Sequence, residues 1–328
     1  MKTEILRTGS GDELQSAVAI AVQMLRDAEA IALPTETVYG LAADALDVDA
    51  ALKIFEAKER PRFDPLIVHL PDAEWITRIA KIDADSSGLV TSLTTRFWPG
   101  PLTVVLPRRS SVPDIVAAGL ETVAVRVSAH PVFSAIVRAF GNPLAAPSAN
   151  RFGRISPTTA AHVAAELDGR IPLIVDAGAT EHGLESTIVA VRDGTIEILR
   201  PGPVTAEQLR EFAKVGVRKP SSGIFVPGQL PSHYAPRTPL VIVGDVAKFE
   251  LPAGERCGLL AWTTMMQKGF AERRQLSVSA DLGEAATNLF RYLRELDEAS
   301  LDLIVAERIP IGGLGSAIMD RLTRAAAR

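Results

Sequence analysis

The chain has 328 residues, enough for two domains or one large one, and its 47% apolar, 23% charged and 5% aromatic content excludes a disordered chain or a coiled coil. A formal net charge of −4 lacks the basic excess that non-specific nucleic-acid binding requires, so strong direct binding of nucleic acid is not expected. The single cysteine, Cys257, excludes an internal disulfide framework and multi-cysteine zinc or iron–sulfur sites, and five scattered histidines with no HExxH-type pairing argue against a dedicated histidine metal site.

Taken along the chain, the first signal is a capping box, Ser10 to Glu13, followed by Leu14, Val18, Ala21 and Leu25 at helical spacing. AIALP (30–34), PLIVHL (65–70), PLTVVLP (101–107), TVAVRV (122–127), PLIVDA (172–177), STIVAVR (186–192) and TIEILR (195–200) read as strands bounded by turn residues. Between them, stretches near 50–58, 86–97, 131–140, 158–167 and 205–214 read as helices. This alternation predicts an α/β domain over residues 1–216, on a twisted, mixed sheet.

The texture then changes. RKPSSGIFVPGQLPSHYAPRTP holds Pro220, Pro227, Pro231, Pro236 and Pro239 with Gly223 and Gly228, which denies both helix and central strand and predicts a semi-extended linker over 217–239. Because it contains Ile224, Phe225, His233 and Tyr234, it is expected to dock rather than hang free. After it, LVIV (240–243), CGLLAW (257–262) and DLIVAE (302–307) read as buried strands, and 282–296 as a helix with Leu282, Leu289, Leu293 and Leu296 on one face. They predict a small doubly wound domain over 240–328. GGLGSA at 312–317 lacks the GxGxxG spacing and a Walker lysine, and reads as a glycine turn capping the last helix. No apolar run reaches the ~18–20 residues that cross a bilayer, and the polar start MKTEILRTGSGDELQ lacks the apolar middle of a secretory signal. A cytoplasmic protein with no membrane partner is expected.

Polar residues collect at predicted strand ends, where α/β folds gather ligands. PTETVYG, Pro34 to Gly40, offers hydroxyls and the Glu36 carboxylate, and reads either as a binding site or as a polar turn. KERPRFDPL, with Lys53 nearby, groups Lys58, Arg60 and Arg62 between Pro61 and Pro65; such a set suits a polyphosphate, or else complements a helix C-terminus. AAPSANRFGRISPTT combines small residues that admit close backbone approach with Ser148, Asn150 and Ser156 as donors, while Thr158 and Thr159 can cap a helix. Arg126 within a strand needs an ion-pair partner or a ligand. No Ser–His–Asp order, metal triad or paired-carboxylate signature stands out.

PTETVYGL, KERPxxxPLIVH, SANxxGxxSPT and STIV, in this order and at these separations, resemble the YrdC-like threonylcarbamoyl-AMP synthase family. The match spans roughly residues 10–210, and SHYAPRTPL followed by a small α/β domain is similar to the two-domain form. The resemblance implies a YrdC-like catalytic domain followed by a Rossmann-like one. It implies that L-threonine, bicarbonate and ATP give threonylcarbamoyl-adenylate and pyrophosphate, with Mg²⁺ carried in on ATP and no protein metal site. The product would feed the tRNA threonylcarbamoyltransferase machinery that makes t6A. By position, Lys58 and Arg60 would meet the ATP phosphates and serve as the catalytic residues. Asp64, Thr122, Ser148, Asn150, Ser156 and Arg200 would line the nucleotide side, with Tyr234 closing over it. Thr37, His69, Arg126, Ala146 and Ser186 would hold threonine. Asp64, where Asn is common, and Phe152, where a small polar residue is common, depart from the pattern. Rival readings are an RNA-binding module and a carbamoyl-adenylating maturation enzyme; the single cysteine counts against the second, whose relatives carry cysteine-rich fingers.

Overall fold

The structure is a computed structural model that describes residues 2–217, 226–227, 230, 232–263 and 268–327. In chain order the first part contains β1 (Glu4–Arg7), α1 (Gly11–Arg26), β2 (Ile31–Leu33), β3 (Gly40–Asp44), α2 (Val48–Lys58), β4 (Ile67–His69), α3 (Ile76–Ile79), α4 (Ala84–Phe97), β5 (Leu102–Pro107) and α5 (Asp114–Ala117). It continues with β6 (Thr122–Arg126), α6 (Pro131–Phe140), β7 (Leu144–Ala145), α7 (Ala160–Leu167), β8 (Leu173–Asp176), β9 (Thr187–Arg192), β10 (Thr195–Arg200), α8 (Ala206–Arg210) and β11 (Val215–Val217). The second part holds β12 (Leu240–Val243), β13 (Cys257–Ala261), β14 (Glu272–Gln275), α9 (Leu282–Asp297), β15 (Leu303–Glu307) and α10 (Leu314–Ala326).

The first part builds an eleven-stranded sheet in the order β1-β8-β2-β3-β7-β4-β6-β5-β9-β10-β11. It is mixed: β4 and β6 run parallel, whereas β7 is antiparallel to both β3 and β4. Side chains alternate across it with the period of two that strands impose. Ile31 and Leu33 pack with Ala21 and Leu25 of α1 and Phe133 of α6, while Ala32 faces the layer containing Ile54 of α2, Phe97 of α4 and Val163 of α7. α1 starts where the capping box predicts, with both reciprocal Ser10–Glu13 bonds formed.

The second part is a parallel sheet in the order β12-β15-β13-β14. Leu260, Ile304 and Ala306 pack against both α9 (Leu289, Phe290, Leu293) and α10 (Ile318, Leu322), so the two long helices share one face. The other face, with Cys257, Leu259 and Val305, is closed by Val246, Phe249, Leu251 and Phe270. GGLGSA is the turn that starts α10. Gly313 is its N-cap, and a Cβ on Gly315 would come within 2.0 Å of the Pro310 carbonyl oxygen.

Several short elements depart from the sequence expectation. β1, β3, β7, β11 and β14 are additional strands, and the helix expected over 205–214 ends at Arg210. The linker residues Pro220, Gly223, Ile224, Phe225, Gly228 and Pro231 lie outside the described residues. Those of the linker that are described include Val226, His233 and Tyr234, all buried. Tyr234 packs with the α9–α10 core, and the Ala235 amide donates to the Gly153 carbonyl at 2.8 Å. The two parts also meet directly through the Arg294–Glu166 ion pair at 3.2 Å.

Candidate active site

The parallel register of β4 and β6 sets His69 beside Arg126 at the carboxyl ends of both strands. Facing them is the Pro34–Gly40 turn. Thr35 Oγ1 organises it by donating to the Val38 carbonyl at 2.6 Å and accepting from the Thr37 and Val38 amides at 3.1 and 3.2 Å. The turn buries Glu36, whose carboxylate pairs with Arg126 and accepts from Ser128 Oγ at 2.5 Å. Burial alone would raise the Glu36 pKa, but Arg126 and the Ser128 hydroxyl outweigh it and hold it at about 2. Arg126 also donates to Thr37 Oγ1 at 3.0 Å, and its buried Nε has no partner among the described residues. It is therefore both ion-paired and still able to donate. Burial and the nearby Arg126 push the His69 pKa down to about 3, so this imidazole is neutral at physiological pH.

Beyond this group lies the cationic turn. Arg60 follows the left-handed C-cap of α2 at Glu59 and donates from Nε and Nη2 to the Asp64 and Pro65 carbonyls at 3.1 and 2.7 Å. Its Nη2 stands 3.0 Å from Asp64 Oδ2, both side chains being buried. The Asp64 carboxylate thus sits beside the arginine that faces the cleft, while its burial pushes its pKa above the ordinary carboxylate value. Lys58 is placed differently from Arg60. Its buried ammonium donates to the Ser148 and Asn150 carbonyls and so braces the Ser148–Asn150 loop from behind. Desolvation and the neighbouring Arg60 lower its pKa well below the ordinary lysine value. Phe152 lies under the Arg60 guanidinium, 5.8 Å from its carbon, and meets His233 edge-on at 5.9 Å.

The third wall comes from β9, β10 and the linker. Arg200 donates to the Ser186 carbonyl from Nε and Nη2 at 3.1 and 3.0 Å, to Ser186 Oγ at 3.1 Å, and to the Pro227 carbonyl at 3.3 Å. One guanidinium thus ties a strand start to the linker. Gly202 permits this close approach, since a Cβ there would lie 2.5 Å from the Thr187 amide and 2.6 Å from the Glu185 carbonyl. Tyr234, at φ +61, stacks on Phe290 at 5.6 Å with its buried hydroxyl unpartnered among the described residues.

These three walls enclose one cleft of about 500 Å³, counting the part open to solvent. Of the residues singled out in the sequence, Thr37, Arg60, His69, Arg126, Ala146, Ser148, Ser186, Arg200 and Tyr234 line it, and Lys58, Asp64, Asn150 and Ser156 stand behind the lining ones. Thr122 lies at the far end of β6 from Arg126, about 13 Å along the strand, and does not line the cleft. Glu185 and His233 line it too, although the sequence reading placed neither in the site and noted His233 only as a docking residue of the linker. Glu185 stood next to the noted Ser186, but its significance depends on a partner far along the chain.

Two family models cover nearly the whole chain. The Sua5/YciO/YrdC model, described as telomere recombination, matches residues 23–202, and the model of the threonylcarbamoyl-AMP synthase C-terminal domain matches 204–327. A threonylcarbamoyl-AMP synthase of Bacillus subtilis is 40% identical over 99% of this chain and 98% of its own length. The chain belongs to the threonylcarbamoyl-AMP synthase family. A second member, from Pyrococcus abyssi, is 37% identical over 94% of this chain and 93% of its own. Pyrococcus abyssi Sua5 solved with L-threonine superposes with a TM-score of 0.88 at 35% identity, covering 99% of this chain and 98% of that one. Among the described residues no helix is long and apolar enough to cross a membrane, and no group of metal-binding side chains is present.

Proposed function

We infer that this protein is a threonylcarbamoyl-AMP synthase, a nucleotidyltransferase that joins L-threonine, bicarbonate and ATP. The observation that carries this reading is the juxtaposition, in one cleft, of an amino-acid end and a phosphate end. At the first, Arg126 keeps an Nε that is unpaired among the described residues and open to a carboxylate, and Thr37, Ser186 and neutral His69 offer partners for a hydroxyl and an amine. At the second, Arg60, Ser148 and Arg200 face the same space, with Tyr234 and His233 over it. In the proposed reaction the threonine amine and bicarbonate form a carbamate with loss of water. A carbamate oxygen then attacks the α-phosphorus of ATP, the bond to the β-phosphate oxygen breaks, and pyrophosphate leaves. Such a displacement needs no covalent enzyme intermediate, only alignment and charge neutralisation. Mg²⁺ enters as part of the MgATP substrate. The buried linker residues support a closing role that keeps water from the mixed anhydride.

Division into a catalytic part over 1–216, a linker over 217–239 and a C-terminal part over 240–328 fits the two sheets. We place the reaction in the cytoplasm, upstream of tRNA t6A formation. The test is pyrophosphate release from MgATP by the purified full chain, with threonine and bicarbonate omitted in turn and serine put in place of threonine. Release that requires both co-substrates is expected; release independent of threonine would overturn the reading.

A further inference from the structure

Glu185 is buried and lines the cleft alongside Arg60 and Arg200, where an uncompensated carboxylate would repel a triphosphate. Both of its oxygens are engaged. Ser156 Oγ donates to Oε1, and Arg321 Nε donates to Oε2 at 2.8 Å. Arg321 lies on α10, 136 residues further along the chain, and is 0% exposed. Its Nη1 reaches Asp320 at 2.7 Å, and its guanidinium carbon stands 5.2 Å from the centroid of the Tyr234 ring, the same ring that stacks on Phe290 of α9. Arg321 itself does not line the cleft.

We propose that Arg321 is a positioning residue for the nucleotide: it neutralises Glu185 and seats Tyr234, so that α10 completes a site otherwise built from the first sheet and the linker. The inference rests on the ATP-dependent reading above. Anchoring α10 alone would not call for an arginine, because Ile318 and Leu322 of the same helix already bury it. A buried ion pair taken as a whole is often replaceable by apolar residues without loss of stability, so packing alone does not explain why Arg321 and Glu185 are kept as a pair. The two contacts of Arg321 outside α10, Glu185 and Tyr234, both line the cleft. The arrangement also fixes Ser156, since the Glu185 oxygen that accepts from it is oriented by the arginine on the other oxygen.

The experiment is calorimetric titration of the full chain with MgATP and, separately, with L-threonine. Arg321→Met is expected to weaken MgATP about tenfold or more and to leave threonine affinity within about threefold. Adding Glu185→Gln to it should restore most of the MgATP affinity, a rescue that a merely structural role would not produce. Unchanged MgATP binding in Arg321→Met, or a loss that Glu185→Gln does not relieve, would overturn the proposal. Should Arg321→Met fail to fold, Glu185→Gln alone decides: it removes a negative charge from the cleft and must tighten MgATP binding, while weaker or equal binding counts against the role. Adenylate formation by the unaltered chain reads the synthase assignment separately. A chain that binds MgATP without making the adenylate fails that assignment and leaves the arginine to the titrations; a chain that binds no MgATP overturns both.

Discussion

The two ends of the cleft are built in different ways. At the proposed amino-acid end, Thr37, Glu36, His69, Arg126 and Ser128 all belong to the first sheet and its loops. Arg126 bonds to Thr37 and Glu36, Ser128 bonds to Glu36, and His69 stands beside Arg126 in the strand register, while Ser186 at the border of the two ends is held by Arg200. At the nucleotide end, Arg200 is tied to Pro227, Tyr234 rests on Phe290, and Glu185 is paired with Arg321, so the linker and both C-terminal helices take part. On the proposed assignment, the difference teaches that threonine recognition is local to one folding unit, whereas nucleotide recognition depends on how that unit is joined to the next. Alterations in the second half of the chain should therefore change ATP affinity first.

The largest expected effect is at the phosphate end. Arg60→Ala should lower adenylate formation by about 10²–10³-fold, and should also destabilise the fold by about 3–5 kcal/mol because Asp64 is left buried without its partner. The double variant Arg60→Ala/Asp64→Asn separates the two, since stability in urea should return while activity stays low; recovery of activity would remove Arg60 from the phosphate site. Next, Glu36→Gln weakens the hold on Arg126 and should raise the KM for threonine about tenfold with little change in the KM for ATP. An equal rise in both would erase the contrast between the ends. Tyr234→Phe removes a hydroxyl that no described residue satisfies but keeps the ring on Phe290; about a two- to fivefold rise in free AMP relative to adenylate is expected, with unchanged thermal stability.

The last effect is on stability rather than activity, and it depends on pH. His69 is neutral in the fold down to a pKa of about 3, whereas in the unfolded chain it takes up a proton below about 6.5. Its contribution is thus fully present above pH 6.5 and is lost, at up to about 1.4 kcal/mol per pH unit, as pH falls toward 3. Glu36, with its pKa held at about 2, adds a further loss below about 4.5. Urea titrations at several pH values should show a shallower slope between pH 6 and 4.5 in His69→Asn; an identical slope would mean that His69 is not buried neutral.

Local chemistry made much of this legible in the sequence. The Ser10–Glu13 box and the β-branched runs at 122–127 and 186–192 declare a helix start and strands on their own. β3 and β7 escaped because GLAAD and LA carry small residues with weak strand preference, held in place by their neighbours in the sheet. β14 escaped because ERRQ is charged, as suits the edge position it occupies. In the site, the motif residues Arg60, Arg126 and Ser186 could be picked out as types that suit anions and hydroxyls. What they bond to could not. Lys58 read as one more cation for phosphate, yet its ammonium sits on two carbonyls of the Ser148–Asn150 loop. The Glu185–Arg321 pair spans separate parts of the chain, so no local pattern announces it.

The most direct measurement of the central claim is incubation of the full chain with MgATP, L-threonine and ¹³C-labelled bicarbonate, followed by mass spectrometry of the nucleotide products. The account predicts threonylcarbamoyl-adenylate carrying the label, formed together with pyrophosphate. AMP and pyrophosphate without any labelled adenylate would contradict it.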